Sequence, residues 1–150
     1  MWAYGTSPAF CSVFREATFV GSQRAAGMQS SAFTPASAVA AVFAATGQDL
    51  GMVGTSSMAH GVATPTDDGG VHLALRLAGV EVGAIGGGTT LPYARTWLKV
   101  LGCQGEGAAF RLAQIVAAAA VCLDVSAVAS MATAGSANFV EAHHTRGGVR

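Results

Sequence analysis

The stretch that decides the fold is Ile85-Gly86-Gly87-Gly88-Thr89-Thr90-Leu91-Pro92. Glycine inside a helix or strand costs about 1 kcal/mol relative to alanine, so three in a row indicate a turn or close approach by a ligand. An alternating apolar pattern precedes the stretch and a helical pattern follows it. That order places N–H groups and the positive end of a helix dipole together, which favours an anion. The stretch is therefore an anion-binding loop or a plain glycine-rich turn.

The composition is that of a chain with little polar surface. Its 150 residues are 51% hydrophobic and 11% charged, compared with about 25% charged residues in typical soluble domains. We therefore expect a core that is completed by the rest of a longer chain or by a homo-oligomer. The net charge of zero gives no electrostatic reason to expect nucleic acid as a partner.

Cysteine usage and the N-terminal residues bear on localisation. The three cysteines are widely spaced and form no Cys-x-x-Cys motif, which indicates free thiols in a reducing compartment. The first residues lack the basic and continuous apolar regions of a secretory signal. We therefore expect a cytoplasmic location, or the cytosolic face of a membrane if a further N-terminal anchor exists.

The local patterns predict an α+β chain with two or three strands and four or five helices. Residues 1–20 have no clear period and are expected to be an irregular lead-in. The predicted elements are a helix from Thr34-Pro35 to Gly47, a turn-like segment over 56–70, a strand over 71–77 that resumes at 80–82, a helix over 91–101, and a helix from 112 with a bend or a new start at 124–126.

Two segments have a second interpretation that the residues favour less. Residues 112–134 are long enough to cross a membrane, but the strictly apolar part covers only 115–123, so we expect a buried helix. Asp67-Asp68 could suggest a metal site. No cluster of ligands accompanies the pair, however, and Asp68-Gly69-Gly70 is ordinary hairpin-turn chemistry. We therefore predict a hairpin turn and no metal.

Two polar residues lie where chemistry is possible. Asp49 follows the negative end of a predicted helix, where a carboxylate is unfavourable unless it meets a cation, takes part in chemistry or caps a short helix over 50–52. His143 is near the end of the last helical segment, where the dipole stabilises the imidazolium form and suits it to be a general acid. The alternative interpretation is that His143 is a solvent-exposed residue in a tail.

Several motifs, taken in order, resemble the hydroxymethylglutaryl-CoA reductase family. They are Gly47-Gln48-Asp49, Gly86-Gly87-Gly88-Thr89-x-Leu91-Pro92, Leu101-Gly102-Cys103-x-Gly105, Ala113-x-Ile115-Val116 and a histidine near the C-terminus. The resemblance covers about residues 21–143. It implies that residues 21–150 are an incomplete C-terminal part of a catalytic domain, within the large substrate-binding domain. It also implies reduction of hydroxymethylglutaryl-CoA to mevalonate and CoA, with NADPH as cofactor and active sites formed between subunits.

The resemblance assigns roles to particular residues. Asp49 matches the catalytic aspartate, and His143, or else His144, matches the histidine that protonates the departing CoA thiolate. The residues implied in substrate or cofactor binding are Gln48, Gly86, Gly87, Gly88, Thr89 and Arg146. We expect a buried acid, a glycine-lined cradle and a terminal imidazole to converge. The family's catalytic glutamate, lysine and main cofactor segment are absent, so the alternative is a non-catalytic module that binds acyl-CoA or dimerises.

Overall fold

The computed structural model describes residues 6–135 and 139–141. Its helices are α1 (Ser7–Arg15), a π-helical segment (Glu16–Ala25), α2 (Pro35–Thr46), α3 (Val53–Ser56), α4 (Pro92–Val100) and α5 (Ala108–Ala134). Its 3₁₀ turns are Leu50–Met52 and Gly87–Thr90, and its strands are β1 (Ala59–Pro65) and β2 (Val71–Leu77). This mixture confirms the predicted α+β class.

The described residues fall into two compact units. Unit 1 takes its residues from Met1–Phe33, Gly61–Ala74 and Asp124–Arg150, and unit 2 consists of Thr34–His60 and Leu75–Leu123. The buried core residues of unit 1 are Phe10, Phe14, Val128, Ala129 and Met131. The buried cores of unit 2 are Leu98, Cys103, Ala108 and Leu112 in one cluster, and Val39, Phe43 and Val116 in another. All the residues that the resemblance places at the site and that the structure describes belong to unit 2.

The N-terminal segment is helical from Ser7, so the expectation of an irregular lead-in was wrong for residues 7–20, and the first five residues lie outside the described part of the chain. Phe10 and Phe14 lie one helical turn apart, both are buried, and their rings stack with centroids 6.4 Å apart. The π-helical segment continues the helix, and the buried Thr18 hydroxyl donates to the Phe14 carbonyl at 2.7 Å. Polar residues around this aromatic pair conceal the helical period in the sequence.

The two strands pair as a hairpin, and its turn is the predicted one. The Asp68 carboxylate accepts hydrogen bonds from the Thr66 hydroxyl and from the Gly70 N–H, which lower the pKa of that carboxyl. β1, however, occupies residues that read as turn-like, because its Ala-His-Gly-Val-Ala-Thr-Pro sequence carries little strand propensity. Its pairing with β2 is what makes it a strand.

Residues 80–82 do not continue β2, so the predicted resumption of the strand was wrong. Val80 and Val82 instead pack against the core cluster of unit 2 that contains Phe43. Between them, the Glu81 N–H donates to the buried Ser56 hydroxyl at 3.0 Å. The alternating apolar pattern therefore reflects contact with this core, not pairing with another strand.

α5 is continuous through residues 124–126, where a bend or a new start was expected. One row of buried residues recurs every four positions from Ala108 through Leu112, Val116, Ala120 and Asp124 to Val128, and near its C-terminal end Ala127, Ala129 and Met131 are buried as well. Cys122 and Leu123, although apolar, are exposed. Asp124 is 1% exposed and accepts the Phe33 N–H at 3.4 Å, so a hydrogen bond accompanies its burial within the helix.

The same helix meets the length and composition of a membrane span. The most apolar 18-residue window of Ala108–Thr133 has a mean hydropathy of 2.1, and 39% of that window is buried. Leu112 and Val116 belong to the cores of unit 2, and Val128 belongs to the core of unit 1. α5 therefore contributes side chains to the cores of both units, and the expectation of a fully buried helix stays a prediction.

The three thiols should differ strongly in reactivity. Cys122 is exposed, Cys11 is half-buried and Cys103 is 1% exposed. Burial raises the pKa of both Cys11 and Cys103, although the Arg111 guanidinium partly opposes this at Cys103. With an aromatic disulfide reagent at mildly alkaline pH, Cys122 should react first and Cys103 about 100-fold more slowly. Mass spectrometry of a time course measures the order, and early labelling of Cys103 would contradict it.

Candidate functional site

Asp49 lies directly after the end of α2. Gly47 ends that helix in the left-handed conformation, with φ of 69°. The Asp49 carboxylate then caps the 3₁₀ turn Leu50–Met52 by accepting the Gly51 N–H at 2.9 Å. The structure thus shows the capping arrangement that the sequence left open. The side chain is exposed, so the expectation of a buried acid was wrong. The short 3₁₀ turn that follows this helix leaves the Asp49 side chain in solvent.

The glycine run forms a tight turn that is stabilised by hydrogen bonds from the two threonines that follow it. Gly86 and Gly87 have φ of 84° and 53°, values that side-chain-bearing residues rarely adopt. The Thr89 hydroxyl donates to the Gly86 carbonyl, and the Thr90 hydroxyl donates to the Gly87 carbonyl at 2.8 Å. The resemblance assigned Thr89 to binding. Its buried hydroxyl holds the turn together in this structure.

The turn offers fewer N–H groups to an anion than the sequence predicted. α4 begins at Pro92, which has no N–H group. The Leu91 N–H donates to the Gly88 carbonyl at 3.1 Å, and the Thr89 N–H donates to the Gly86 carbonyl at 3.2 Å. These two amides are therefore used inside the turn, and Pro92 contributes none to an anion.

Gly47 and Gly88 bring the two motifs into direct backbone contact. A Cβ on Gly47 would lie 2.3 Å from the Gly88 carbonyl oxygen, and a Cβ on Gly88 would lie 2.5 Å from the Gly47 carbonyl oxygen. Both separations are far below a normal van der Waals contact. The two positions must therefore be glycine for the segments to pack as they do.

Gln48 joins the same two segments through its side-chain amide. Its Nε2 donates to the Thr46 carbonyl at 3.0 Å, and its Oε1 accepts the Gly83 N–H at 2.8 Å. The side chain is half-buried. The resemblance assigned Gln48 to binding of substrate or cofactor, whereas here both polar atoms of its amide make bonds within the protein.

These contacts surround one cavity of about 340 Å³. It is lined by residues 47–49, Gly83 and residues 85–89. The structure thus brings together Asp49, Gln48, the glycine run and Thr89. His143 and Arg146 lie outside the described residues. Sequence reasoning missed Gly83 and Ile85 as lining residues. The spacing of Gly83 before the run was a usable signal, whereas an apolar residue such as Ile85, which is 92% exposed, gives no signal of its own.

A second cavity, of about 270 Å³, also borders the glycine turn. It shares Ile85, Gly86 and Thr89 with the first and adds Arg95 and Cys103. Gln104 and Gly105 line it beside Cys103. Just before them in the chain, the Leu101 carbonyl accepts a hydrogen bond from the Arg111 Nε at 3.0 Å. Within residues 6–135 and 139–141, no group of three or more His, Cys, Asp or Glu side chains is placed to hold a metal ion.

Comparison with known proteins places this site in a family. The family model of hydroxymethylglutaryl-coenzyme A reductase matches residues 5–147. The 3-hydroxy-3-methylglutaryl-coenzyme A reductase of Halobacterium salinarum is 39% identical over 119 residues, covering 76% of this chain and 29% of the relative. The enzyme of that name from Methanocaldococcus jannaschii is 33% identical over 127 residues, covering 85% of this chain and 31% of the relative. The enzyme of that name from Aspergillus terreus is 40% identical over 112 residues, covering 70% of this chain and 10% of the relative.

This chain spans about three-tenths of the length of its archaeal relatives. The family match nonetheless covers nearly the whole chain, including every described residue of the cavity. The backbone contact between Gly47 and Gly88 gives a physical reason for the two glycine motifs to occur together. The chain belongs to the hydroxymethylglutaryl-coenzyme A reductase family.

Proposed function

We propose that this chain supplies the C-terminal part of a reductase active site that converts hydroxymethylglutaryl-CoA to mevalonate and CoA. The observation that carries the proposal is the shared cavity, which Asp49 and the glycine run line together. An exposed carboxyl beside bare backbone is accessible to a substrate carbonyl, and no side chain of the glycine run blocks the approach.

Asp49 is the proposed acid–base group. A carboxyl within hydrogen-bond reach of the reacting carbonyl oxygen can hold the proton that the oxygen gains as the carbonyl is reduced. The cap to Gly51 occupies Oδ1 and fixes the orientation of the carboxylate. His143, or its neighbour His144, is proposed to protonate the CoA thiolate. Arg146 is proposed to meet a phosphate.

NADPH is the proposed cofactor, and it would supply the hydride when bound. Among the described residues, those that line the cavity include neither lysine nor arginine. None of them therefore supplies a cation for the phosphates of a dinucleotide, and we assign none of them to that role. The remaining partners in the proposal are hydroxymethylglutaryl-CoA and either a second subunit or the remainder of a longer chain, in the cytoplasm or at the cytosolic face of a membrane.

The second candidate is a non-catalytic module that binds acyl-CoA or dimerises. It is favoured by the bond that the Asp49 carboxylate accepts from the Gly51 N–H, because that bond gives the carboxylate a structural role without catalysis. In this case the cavity would bind the acyl-CoA and no turnover would follow.

A chimera separates the two candidates. The matching segment of the Halobacterium salinarum reductase is replaced by this chain, and mevalonate formation and NADPH oxidation are measured with hydroxymethylglutaryl-CoA as substrate. The proposed function predicts turnover by the chimera. A folded chimera that binds hydroxymethylglutaryl-CoA by calorimetry but forms no mevalonate would support the non-catalytic module instead.

A further inference from the structure

We infer that Gln48 is the positioning residue of this site: its side-chain amide ties the end of α2 to the segment before the glycine turn and so sets where Asp49 lies. The inference rests on the proposed function, because it concerns the carboxylate on which that function depends. It also changes the role of Gln48, which the family resemblance had assigned to binding.

The two hydrogen bonds of the amide connect segments that are distant in sequence. Gln48 and Gly83 are separated by 35 residues, and the 2.8 Å bond between them is partly buried. The second bond, from Nε2 to the Thr46 carbonyl, holds the side chain back against the last turn of α2. Because both polar atoms of its amide are bonded, the side chain of Gln48 is held in one rotamer.

The Gln48–Gly83 bond complements the backbone contact between Gly47 and Gly88. A single contact between two segments leaves them free to rotate about it, whereas two contacts at neighbouring positions remove that freedom. Asp49 follows Gln48 directly, and the glycine run follows Gly83 by three residues. The two contacts together therefore fix the carboxylate relative to the turn across the cavity.

Two substitutions separate the bonds, and a third serves as control. Gln48→Met keeps the length of the side chain and removes both bonds. Gln48→Glu keeps an acceptor for the Gly83 N–H but loses the donor to the Thr46 carbonyl. Gln114→Met makes the same chemical change at an exposed position of α5 in the same unit.

Amide hydrogen exchange on the full 150-residue chain tests the connection. Gln48→Met should speed exchange of the Gly83 amide about fivefold or more, because that amide loses its acceptor. It should also shift the carboxyl carbon resonance of Asp49. Gln48→Glu should leave Gly83 exchange within about twofold of the parent, and Gln114→Met should change neither signal. Unchanged Gly83 exchange or an unchanged Asp49 resonance in Gln48→Met would overturn the inference.

Kinetics of the chimera distinguish positioning from binding and from a purely structural role. Gln48→Met should lower kcat about tenfold and leave KM for hydroxymethylglutaryl-CoA within about twofold. A raised KM with unchanged kcat would mean that Gln48 contacts substrate, and a lower melting temperature with unchanged kcat would mean that it only stabilises the fold. Either result overturns the inference. If Asp49→Asn has no effect on turnover while Gly83 exchange and the Asp49 resonance respond as expected, the proposed function fails and the connection stands.

Discussion

Asp49→Asn in the chimera is expected to lower kcat by about 10²–10⁴-fold, the usual contribution of a general acid or base. The substitution removes the ionisable group and keeps the local structure. Asparagine can still accept the Gly51 N–H, so the cap on the Leu50–Met52 turn is kept. What is lost is the ability of the side chain to take up and give back a proton. Steady-state assay of mevalonate formation measures the effect.

Asp67→Asn is the matched control for this prediction. Asp67 is an exposed aspartate of the hairpin turn and belongs to neither cavity. Its substitution should leave kcat within about twofold of the parent. Asp49→Asn with a rate near that of Asp67→Asn would show that the carboxyl only caps the turn.

Gly88→Ala is expected to lower the free energy of unfolding by about 2–4 kcal/mol, the range in which backbone clashes and overpacking fall. The new Cβ would meet the Gly47 carbonyl oxygen at 2.5 Å, and that oxygen is main chain and cannot turn aside. Either the corner after α2 or the glycine turn must move, so the cavity should lose its shape as well. Urea unfolding of the full chain measures the stability change.

Substitutions at two further glycines of unit 2 test whether the backbone contact causes this loss of stability. Gly87 has a positive φ but open space around its Cβ position, so Gly87→Ala should cost about 1 kcal/mol from backbone strain alone. Gly54, in α3, has open space and an ordinary φ, so Gly54→Ala should be neutral or stabilise by up to about 1 kcal/mol. Equal destabilisation by Gly87→Ala and Gly88→Ala would contradict the assignment of the effect to the backbone contact.

The elements that local chemistry specifies could be predicted from the sequence. Pro35 starts α2 and Gly47 ends it, as proline and glycine at those positions indicate. The alternation over 71–77 is β2, and His72 lies on its exposed face. Asp68-Gly69-Gly70 lies in the turn that joins the strands. Each of these features depends on residues a few positions apart.

The elements that depend on distant partners could not be predicted in this way. β1 is a strand because β2 pairs with it, and its own residues carry almost no signal. Val80 and Val82 alternate like a strand because they contact the core cluster that contains Phe43. The exposure of Asp49 likewise follows from the short 3₁₀ turn that it caps. Periodicity identifies which side chains are apolar without identifying what covers them.

The candidate site was predicted in part. The resemblance named Asp49, Gln48 and the glycine run, and the structure places all of them around one cavity. It did not indicate that Gln48 bonds to Gly83 or that Gly47 touches Gly88, because both contacts join residues more than thirty positions apart. The roles of His143 and Arg146 stay predictions from the resemblance.

The contact between Gly47 and Gly88 has a consequence for protein engineering. Since main-chain atoms meet there, no choice of side chain on one segment can compensate for a change of backbone on the other. A loop graft from a related reductase that carries only residues 47–49, or only residues 83–89, would bring together surfaces that were shaped separately. Donor segments should therefore be exchanged as one block.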